Sequence, residues 1–507
     1  MFPTIEHVQN VWQRMRGRRE QASYRLTLWI FLRLLGGIYL ANFASLSTQV
    51  MGLLGQKGIL PAADYLENIP ESLGAQRYWL VPTLTWFNRS DSFLRLLCGG
   101  GMVLAVLLIL DILPIPVLIA LWMIELSIIS VGQDFLSFQW DILLLETGFL
   151  AIFAAPGHLL PHRGGDAAPS RIVMLLLWWL VFRLMFLSGV VKLASGDPNY
   201  WNLTALTYHY ETQPLPTPLA WYVEQLPRDF HKLSVALMFV IELGLPWLIW
   251  LPRPLRVFAA LGLIGLQVLI LLTGNYAFFN LLAIVLCLTL LDDAMLCRVL
   301  PRELVRFIAE DNVAAAPTWR GAIHLPLAAL LLLISGIQIS ARFRPASSIP
   351  RPLLSFAGQF DSFRLANTYG LFAVMTTMRQ EIIVEGSDDG QTWHEYEFRW
   401  KPDDVHRAPP VVAPHQPRLD WQMWFAALGS AQNNPWFTRF LIRLLEGSPE
   451  VTGLLQTNPF PHQPPRYVRA QLYTYHFTHV GDSATAGAWW RREYQGLYFP
   501  SVSLRGQ

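Results

Sequence analysis

Long apolar stretches alternate with shorter polar ones over the first two thirds of the chain. A helix that crosses a bilayer needs about 20 mostly apolar residues, and nine stretches come near that length. They are residues 26–47, 93–113, 115–131, 134–156, 171–191, 233–250, 257–273, 278–291 and 322–340. In the fourth, only 142–155 is largely apolar. The pattern predicts a polytopic transmembrane helical bundle over 24–340, preceded by a cytosolic segment at 1–23.

The pattern changes after residue 340, where alternating and amphipathic stretches replace the apolar runs. Two alternating runs in EIIVEGSDDGQTWHEYEFRW (381–400) flank Asp389-Gly390, a strong signal for a β-hairpin. The other predicted elements are helices at 419–428 and 434–445 and strands at 466–478 and 488–500. The predicted fold class is therefore mainly α, a transmembrane bundle followed by an extracytoplasmic α+β domain at 341–507.

The positive charges favour one orientation in the membrane. One set of loops carries most of the arginines of residues 1–340, namely Arg14, Arg16, Arg18, Arg19, Arg25, Arg163, Arg171, Arg253, Arg256, Arg298, Arg302, Arg306 and Arg320. The opposite loops are longer in total and carry Lys57, Arg77, Arg89, Lys192, Arg228 and Lys232. The positive-inside rule then predicts a cytosolic N-terminus. It also predicts that the C-terminal domain and an outer loop at 193–231 lie on the extracytoplasmic side.

Composition supports the membrane assignment and limits the chemistry. The chain is 53% hydrophobic with a mean hydropathy of +0.33, and its formal net charge of +2 gives no reason to expect a nucleic-acid partner. Its three cysteines, Cys98, Cys287 and Cys297, all precede the C-terminal domain, so no disulfide framework is predicted there. No nucleotide or metalloprotease motif occurs. We therefore predict no cofactor and no metal site.

Polar residues within or beside the spans are candidate site residues, because exposing an ionisable side chain to lipid is costly. This predicted intramembrane polar cluster comprises Gln139, Asp141, Glu146, Arg183, Lys192, Glu242, Asn275 and Asn280. Asp141 and Glu146 lie five residues apart, about 140° around a helix. Arg183 is expected to pair with Asp141, Glu146 or Glu242. The asparagines are expected to cap helix ends or to bond across helices.

Lys192 has two competing interpretations. It is either a snorkelling lysine at the interface or a catalytic base, with Glu146 and Asp141 as further catalytic candidates. A lysine becomes a base when desolvation lowers its pKa, whereas nearby carboxylates keep it charged and make it a poor base. The residues alone leave the enzymatic question open.

The outer loop is too polar to cross lipid and too aromatic for an ordinary solvated loop. Irregular backbone near a bilayer is stable only where protein buries it or water reaches it, so residues 193–222 are expected to cover the outer end of the bundle. The candidate surface of this loop consists of Trp201, His209, Tyr210, Glu211 and Gln213.

The C-terminal domain is rich in tryptophan and arginine, which are frequent in protein interfaces. Candidate residues for binding a client protein are Trp393, Trp421, Trp436, Trp489, Trp490 and Arg491. The competing interpretation is that most of these aromatic side chains form the core of a small α+β domain.

Several long segments together resemble one family, the lipase maturation factors. The matching segments are FLSFQWDILLLETGFLA (135–151), 182–222, GNYAFFNLLAIVLCLTLLDD (274–293), 367–393, NPWF (434–437) and WWRREYQGLYFP (489–500). The resemblance implies an integral membrane protein of the endoplasmic reticulum that helps newly made dimeric lipases to fold and assemble. It also implies a distant kinship with the membrane domain of vitamin K-dependent γ-carboxylase, which uses a lysine base. Lys192 lies in the corresponding neighbourhood, but no catalytic role carries over.

We therefore expect a maturation factor for exported or secreted lipases or similar clients, in contact with membrane lipids. The alternatives are a γ-carboxylase-related membrane enzyme acting on a lipid or quinone-linked substrate, and a lipid-binding or transport-like protein. The resemblance implies the endoplasmic reticulum membrane. Compact loops, no C-terminal retention signal and no cysteine in the outer domain favour a bacterial inner membrane, with that domain in the periplasm.

Overall fold

The structure, a computed structural model, describes residues 23–160, 169–301, 318–343, 348–481 and 487–504. The predicted cytosolic segment at 1–23 lies, except for its last residue, outside the described residues. The helices of the bundle are α1 (Arg25–Ser47), α2 (Asp91–Ile109), α3 (Pro114–Val131), α4 (Gln139–Ala154), α5 (Arg171–Ala194), α6 (Arg228–Leu248), α7 (Arg253–Thr273), α8 (Phe279–Leu288), α9 (Asp293–Val299) and α10 (Thr318–Phe343). Shorter helices in the connections are Val50–Leu54, Ala62–Glu67, Gln76–Leu80, Pro198–Trp201, Leu206–Thr212 and Pro218–Glu224.

Seven helices among the described residues are long and apolar enough to cross a membrane, rather than the nine predicted. They are α1, α2, α3, α5, α6, α7 and α10. An eighth span results if α8 and α9 are counted together, although the chain bends by 115° between them. The chain is a mainly α-helical polytopic membrane protein, and the predicted bundle is confirmed with this correction to its span count.

The two predicted spans that fall short, α4 and α8, have 16 and 10 residues. Most of their side chains are buried in the protein, so neither has to match the thickness of the hydrocarbon layer with its own length. Gly148 in α4 lies so close to α1 that a Cβ atom there would overlap the Tyr39 hydroxyl. Helix α4 is thus packed inside the bundle.

The two ends of α1 mark the two ends of the bundle. At its start, the Arg25 amide donates to Asp293 of α9, and the Thr27 hydroxyl donates to the Leu291 carbonyl. Beyond its other end, the Gln49 side chain donates to the Gln416 carbonyl of the C-terminal domain. The C-terminal domain therefore covers the end of the bundle opposite to α9.

The C-terminal domain contains one antiparallel sheet in the order β2-β1-β3-β4. Its elements are α11 (Arg351–Gly358), β1 (Arg379–Ser387), β2 (His394–Tyr396), α12 (Arg418–Ala427), α13 (Pro435–Leu445), the short helix Pro449–Thr452, β3 (Tyr467–Phe477) and β4 (Trp490–Val502). One face of the sheet packs on α13, where the Phe437 ring meets the Tyr498 ring at 5.3 Å. The sheet and α13 together form a small α+β core.

The sequence pattern located these elements closely. The predicted hairpin is formed by β1 and β2, with Val384 opposite Tyr396. Its turn is stabilised by the Asp389 carboxylate, which accepts from the backbone amides of Gln391 and Thr392. Gly390 takes a left-handed φ of 74°, which glycine adopts without strain. The predicted helices and remaining strands also form, with shifts of one or two residues at most of their ends.

Candidate functional site

The first buried ion pair joins the bundle to the C-terminal domain. Both guanidinium amino groups of Arg418 donate to the carboxylate of Asp141, each at 2.8 Å, and one also donates to the Phe135 carbonyl. Both side chains are buried. A bidentate arginine–carboxylate pair fixes distance and orientation together. Asp141, predicted as a catalytic candidate, therefore positions helix α12 against helix α4.

The second buried pair lies deeper in the bundle, between Arg183 and Glu146. The other Glu146 oxygen accepts from the backbone amide and the side-chain amide of Asn367, and from the Tyr369 hydroxyl at 2.7 Å. Arg183 in turn donates to the Asn367 carbonyl at 2.7 Å. Glu146 is one of the three partners predicted for Arg183. Its carboxylate is fully used in holding residues 367–369 inside the bundle.

The third pair joins Lys192 of α5 to Glu242 of α6. The Lys192 ammonium lies 2.8 and 2.7 Å from the two carboxylate oxygens, and both side chains are buried. Lys192 thus points into the bundle toward Glu242 and does not snorkel toward an interface. Glu242 lies in a π-helical turn, Val240–Gly244, and such turns are common at functional sites.

Beside this third pair is a cavity of about 310 Å³, closed at the outer end by the outer loop. Its walls are mostly leucine, isoleucine, methionine and phenylalanine side chains from α5, α6 and α7. Lys192, Glu242, Asn280 and His209 are among the polar residues that line it. A largely apolar cavity with a few converging polar groups is the usual form of a small-molecule site.

The remaining members of the predicted polar cluster have separate partners. The Gln139 side chain accepts from and donates to the backbone of Gly370. Asn275 bridges loops, since its amide donates to Pro410 and Pro216 and its oxygen accepts from Val412. Only Lys192, Glu242 and Asn280 meet at one cavity. The cluster predicted as one group is thus divided among several sites.

The outer loop is fastened to the C-terminal domain on one side and to the bundle on the other. Arg379 of β1 donates to the carbonyls of Glu211, Gln213 and Pro214. The Glu211 carboxylate accepts from the Phe477 amide at 2.7 Å. Arg379 and Phe477 therefore hold this loop against the C-terminal domain.

The predicted surface residues of the outer loop differ in how much of each side chain is exposed. Trp201 is exposed, whereas Tyr210 and Gln213 are buried. His209 lies 3.1 Å from the Tyr276 hydroxyl, which donates to Gln213. Burial, together with the Lys192 charge, lowers the pKa of His209 to about 4, so its imidazole is neutral near pH 7.

Three of the six predicted client-binding residues are core residues, which corrects that prediction. Trp421, Trp436 and Trp490 are almost completely buried within the chain, so they present no surface to a partner. Trp489 is partly buried against Trp221 of the outer loop, with ring centroids 5.2 Å apart. Trp393 is partly exposed, and Arg491 is exposed.

The sheet face turned away from α13 carries Tyr473 and Tyr494, which the sequence pattern did not single out, beside the predicted Trp393. We name it the aromatic face, comprising Trp393, Arg469, Tyr473, Tyr494 and Leu497. The Arg469 guanidinium lies 4.0 Å from the Trp393 ring centroid, and the Tyr473 and Tyr494 rings are 5.5 Å apart. Tyr494 and Leu497 are 58% and 61% exposed. The alternation in 466–478 was the available signal, but it gave no indication of which side faces the helices.

These features define a class of protein, a polytopic membrane bundle joined to an α+β domain by a buried ion pair and buried hydrogen bonds. Residues 26–298 match the family described as Lipase maturation factor transmembrane domain, and residues 365–500 match Lipase maturation factor C-terminal domain. The chain belongs to the lipase maturation factor family.

Named relatives are similar to this chain along almost its whole length. Lipase maturation factor 2 of Gallus gallus is 40% identical over 94% of this chain and 81% of its own length. Its Homo sapiens counterpart is 39% identical over 95% and 83%. Lipase maturation factor 1 of Mus musculus is 34% identical over 96% and 89%. No solved structure matches. These relatives give the carboxylase-like alternative no support.

Proposed function

We propose that this protein assists the maturation of a lipase-type client, and that the client binds to the aromatic face of the C-terminal domain. The family supports the first part, because the relatives bear the name lipase maturation factor. The exposed Tyr494 and the partly exposed Trp393 and Tyr473 support the second, since tyrosine, tryptophan and arginine dominate the binding energy of many protein interfaces.

The observation that carries this proposal is the position of β4 in the sheet. β4 is 13 residues long and forms the edge of the sheet, with β3 as its one neighbour among the described strands. An edge strand leaves backbone donors and acceptors unpaired, and an extended segment of a partner can add to it. Tyr494 and Leu497 lie on this strand, so backbone pairing and side-chain contact are available together.

The membrane orientation follows as part of the proposal. The outer loop, the end of α1 and the C-terminal domain lie at one end of the bundle, and the arginine asymmetry favours the other end as cytosolic. The C-terminal domain then meets exported clients in the lumen of the endoplasmic reticulum or in the periplasm. A membrane anchor on that side keeps the aromatic face close to chains that have just crossed the membrane.

The test is a co-expression assay in cells that lack their own lipase maturation factors, with a secreted lipase that depends on such a factor. The variant Tyr494→Ser/Leu497→Ser removes the two most exposed side chains of the aromatic face. We expect the yield of active lipase to fall at least about tenfold, the effect of losing a binding hot spot. The matched control is Val411→Ser, which removes an exposed apolar side chain elsewhere in the same domain.

Full lipase activity with the double variant, at equal amounts of membrane-inserted protein, would disprove the assigned surface. Equal loss in the control would show that the double variant acts through stability. Deleting residues 341–507 is a weaker test, because it also removes Arg418, the partner of Asp141, and two of the groups that donate to Glu146, namely Asn367 and Tyr369.

A further inference from the structure

The cavity beside Lys192 and Glu242 opens toward the side of the bundle. Leu237 of α6 and Leu269 of α7 line the cavity and are also 53% and 60% exposed. Both helices are candidate membrane spans, and about a quarter of each span window, 28%, is buried in the protein. Their exposed sides therefore face acyl chains, and the mouth of the cavity between them opens into the lipid phase.

The charges within the cavity cancel. The carboxylate of Glu242 neutralises the Lys192 ammonium, which donates to both carboxylate oxygens. His209 is neutral near pH 7, because burial and the Lys192 charge lower its pKa. An anionic head group would thus meet no unpaired positive charge among these groups, and a cationic one no unpaired negative charge. A neutral ligand suits this site best.

One polar atom at the inner end of the cavity has no partner among the described residues. The Asn280 side-chain amide donates to the Gln267 oxygen at 2.8 Å, but its own oxygen, Oδ1, accepts no hydrogen bond. Asn280 is fully buried and lines the cavity. A buried carbonyl oxygen without a donor is unfavourable, so this atom favours a ligand that brings a hydroxyl group.

From these three observations we propose that the cavity binds a neutral lipid through its hydroxyl-bearing head group. The hydroxyl donates to Asn280 Oδ1, and the aliphatic chain leaves the cavity between α6 and α7. This site is separate from the aromatic face and does not depend on the proposed client.

The experiment uses three probes that share one chain, 1-monooleoylglycerol, methyl oleate and oleate. The first is neutral with hydroxyl groups, the second is neutral without one, and the third is anionic. Binding to the delipidated full-length protein in detergent is measured by native mass spectrometry. We expect 1-monooleoylglycerol to bind at least about tenfold more tightly than either of the others, because only it satisfies the buried oxygen while adding no charge.

Two variants test the location. Leu269→Trp places a bulky side chain at the mouth, and Leu261→Trp is the matched control, an exposed position on the same helix that does not line the cavity. We expect Leu269→Trp to weaken binding of 1-monooleoylglycerol about tenfold and Leu261→Trp to leave it unchanged. Asn280→Ala should remove the preference over methyl oleate.

The outcomes separate cleanly. Tightest binding of oleate would overturn the argument from charge, and equal binding of methyl oleate would overturn the role of Asn280. Binding that Leu269→Trp does not change would show that the lipid sits elsewhere. Because Leu269 is an exposed position, its variant keeps the test decisive if Asn280→Ala does not fold.

Discussion

Two buried cation–glutamate pairs in the same bundle have different surroundings. Around Arg183 and Glu146, residues of the C-terminal segment use the remaining oxygen positions, with Asn367 and Tyr369 both donating to the carboxylate. Around Lys192 and Glu242, the neighbouring space is a cavity with mostly apolar walls. The buried charge pairs of this protein therefore have two kinds of surroundings, hydrogen-bonding protein groups in one case and a cavity in the other.

The difference shows how an intramembrane charge is to be interpreted here. A pair whose hydrogen-bonding capacity is used by the chain itself holds two parts of the chain together. A pair that borders open space leaves room for a ligand. The pair Asp141–Arg418 belongs to the first kind, since both of its contacts join α4 to α12. The first kind connects the bundle to the C-terminal domain, and the second forms part of a cavity.

The largest loss of stability is expected when an ion pair enclosed by protein loses its carboxylate. Asp141→Leu leaves the Arg418 charge buried without a counterion, and we expect a loss of about 3–5 kcal/mol in the free energy of unfolding. Thermal unfolding of the purified protein in detergent measures this loss. Asp141→Leu/Arg418→Met, which removes both charges, should recover most of the stability. Equal loss in the single and double variants would contradict the pairing.

Matched variants of the two glutamates test whether the surroundings of an ion pair decide how much stability is lost with its carboxylate. Glu146→Gln should cost about 3 kcal/mol, because the buried Arg183 charge then keeps only neutral acceptors such as the Asn367 carbonyl. Glu242→Gln should cost about 1 kcal/mol, since the cavity leaves room for water beside Lys192 and the other polar groups that line it. The same unfolding assay measures both. Equal losses in the free energy of unfolding would show that the cavity does not stabilise the Lys192 charge when Glu242 is replaced.

A smaller effect is expected for a polar residue that joins loops. Asn275 makes hydrogen bonds to carbonyls or amides on both sides, including Pro410 and Val412 of the C-terminal domain. Asn275→Ala should cost about 2 kcal/mol, since buried backbone groups lose their partners. Faster proteolysis in the connection at 408–417 would report the loosening. An unchanged cleavage rate would show that the connection is held by other contacts.

The smallest effect is expected from pH. Burial, together with the charges of Arg418 and Arg399, lowers the pKa of His415 to about 4. The unfolded chain, with a histidine pKa near 6.5, binds more protons between these values. The stability contributed by neutral His415 is therefore complete above about pH 6.5 and is lost as the pH falls toward 4. His415→Gln should reduce the acid-induced drop in Tm by about 2 °C. Identical pH profiles would contradict this.

The sequence predicted local elements well and long-range partners poorly. Glu146 was among the partners expected for Arg183, but the single polar cluster that was expected to hold both Asp141 and Glu146 is divided among separate pairs. Arg418, however, lies 277 residues from Asp141, and nothing in its local pattern distinguishes it from a surface arginine. Tryptophans were equally ambiguous, because composition alone does not separate core positions such as Trp436 from exposed ones.

The predicted number of spans was too high for a related physical reason. The length rule for a membrane helix assumes that lipid surrounds the helix. Helices α4 and α8 are surrounded largely by protein, so they are shorter than a span, with 16 and 10 residues. Apolar composition indicates burial, but it does not tell whether lipid or protein provides the surroundings.

The central claim, that the aromatic face meets the client, is tested most directly by site-specific photocrosslinking in cells that co-express a dependent secreted lipase. A photoreactive residue replaces Tyr494 in one variant and Val411 in the other. We expect crosslinks to newly made lipase from position 494 and few or none from position 411. Crosslinks from 411 but not from 494, while lipase maturation proceeds normally, would contradict it.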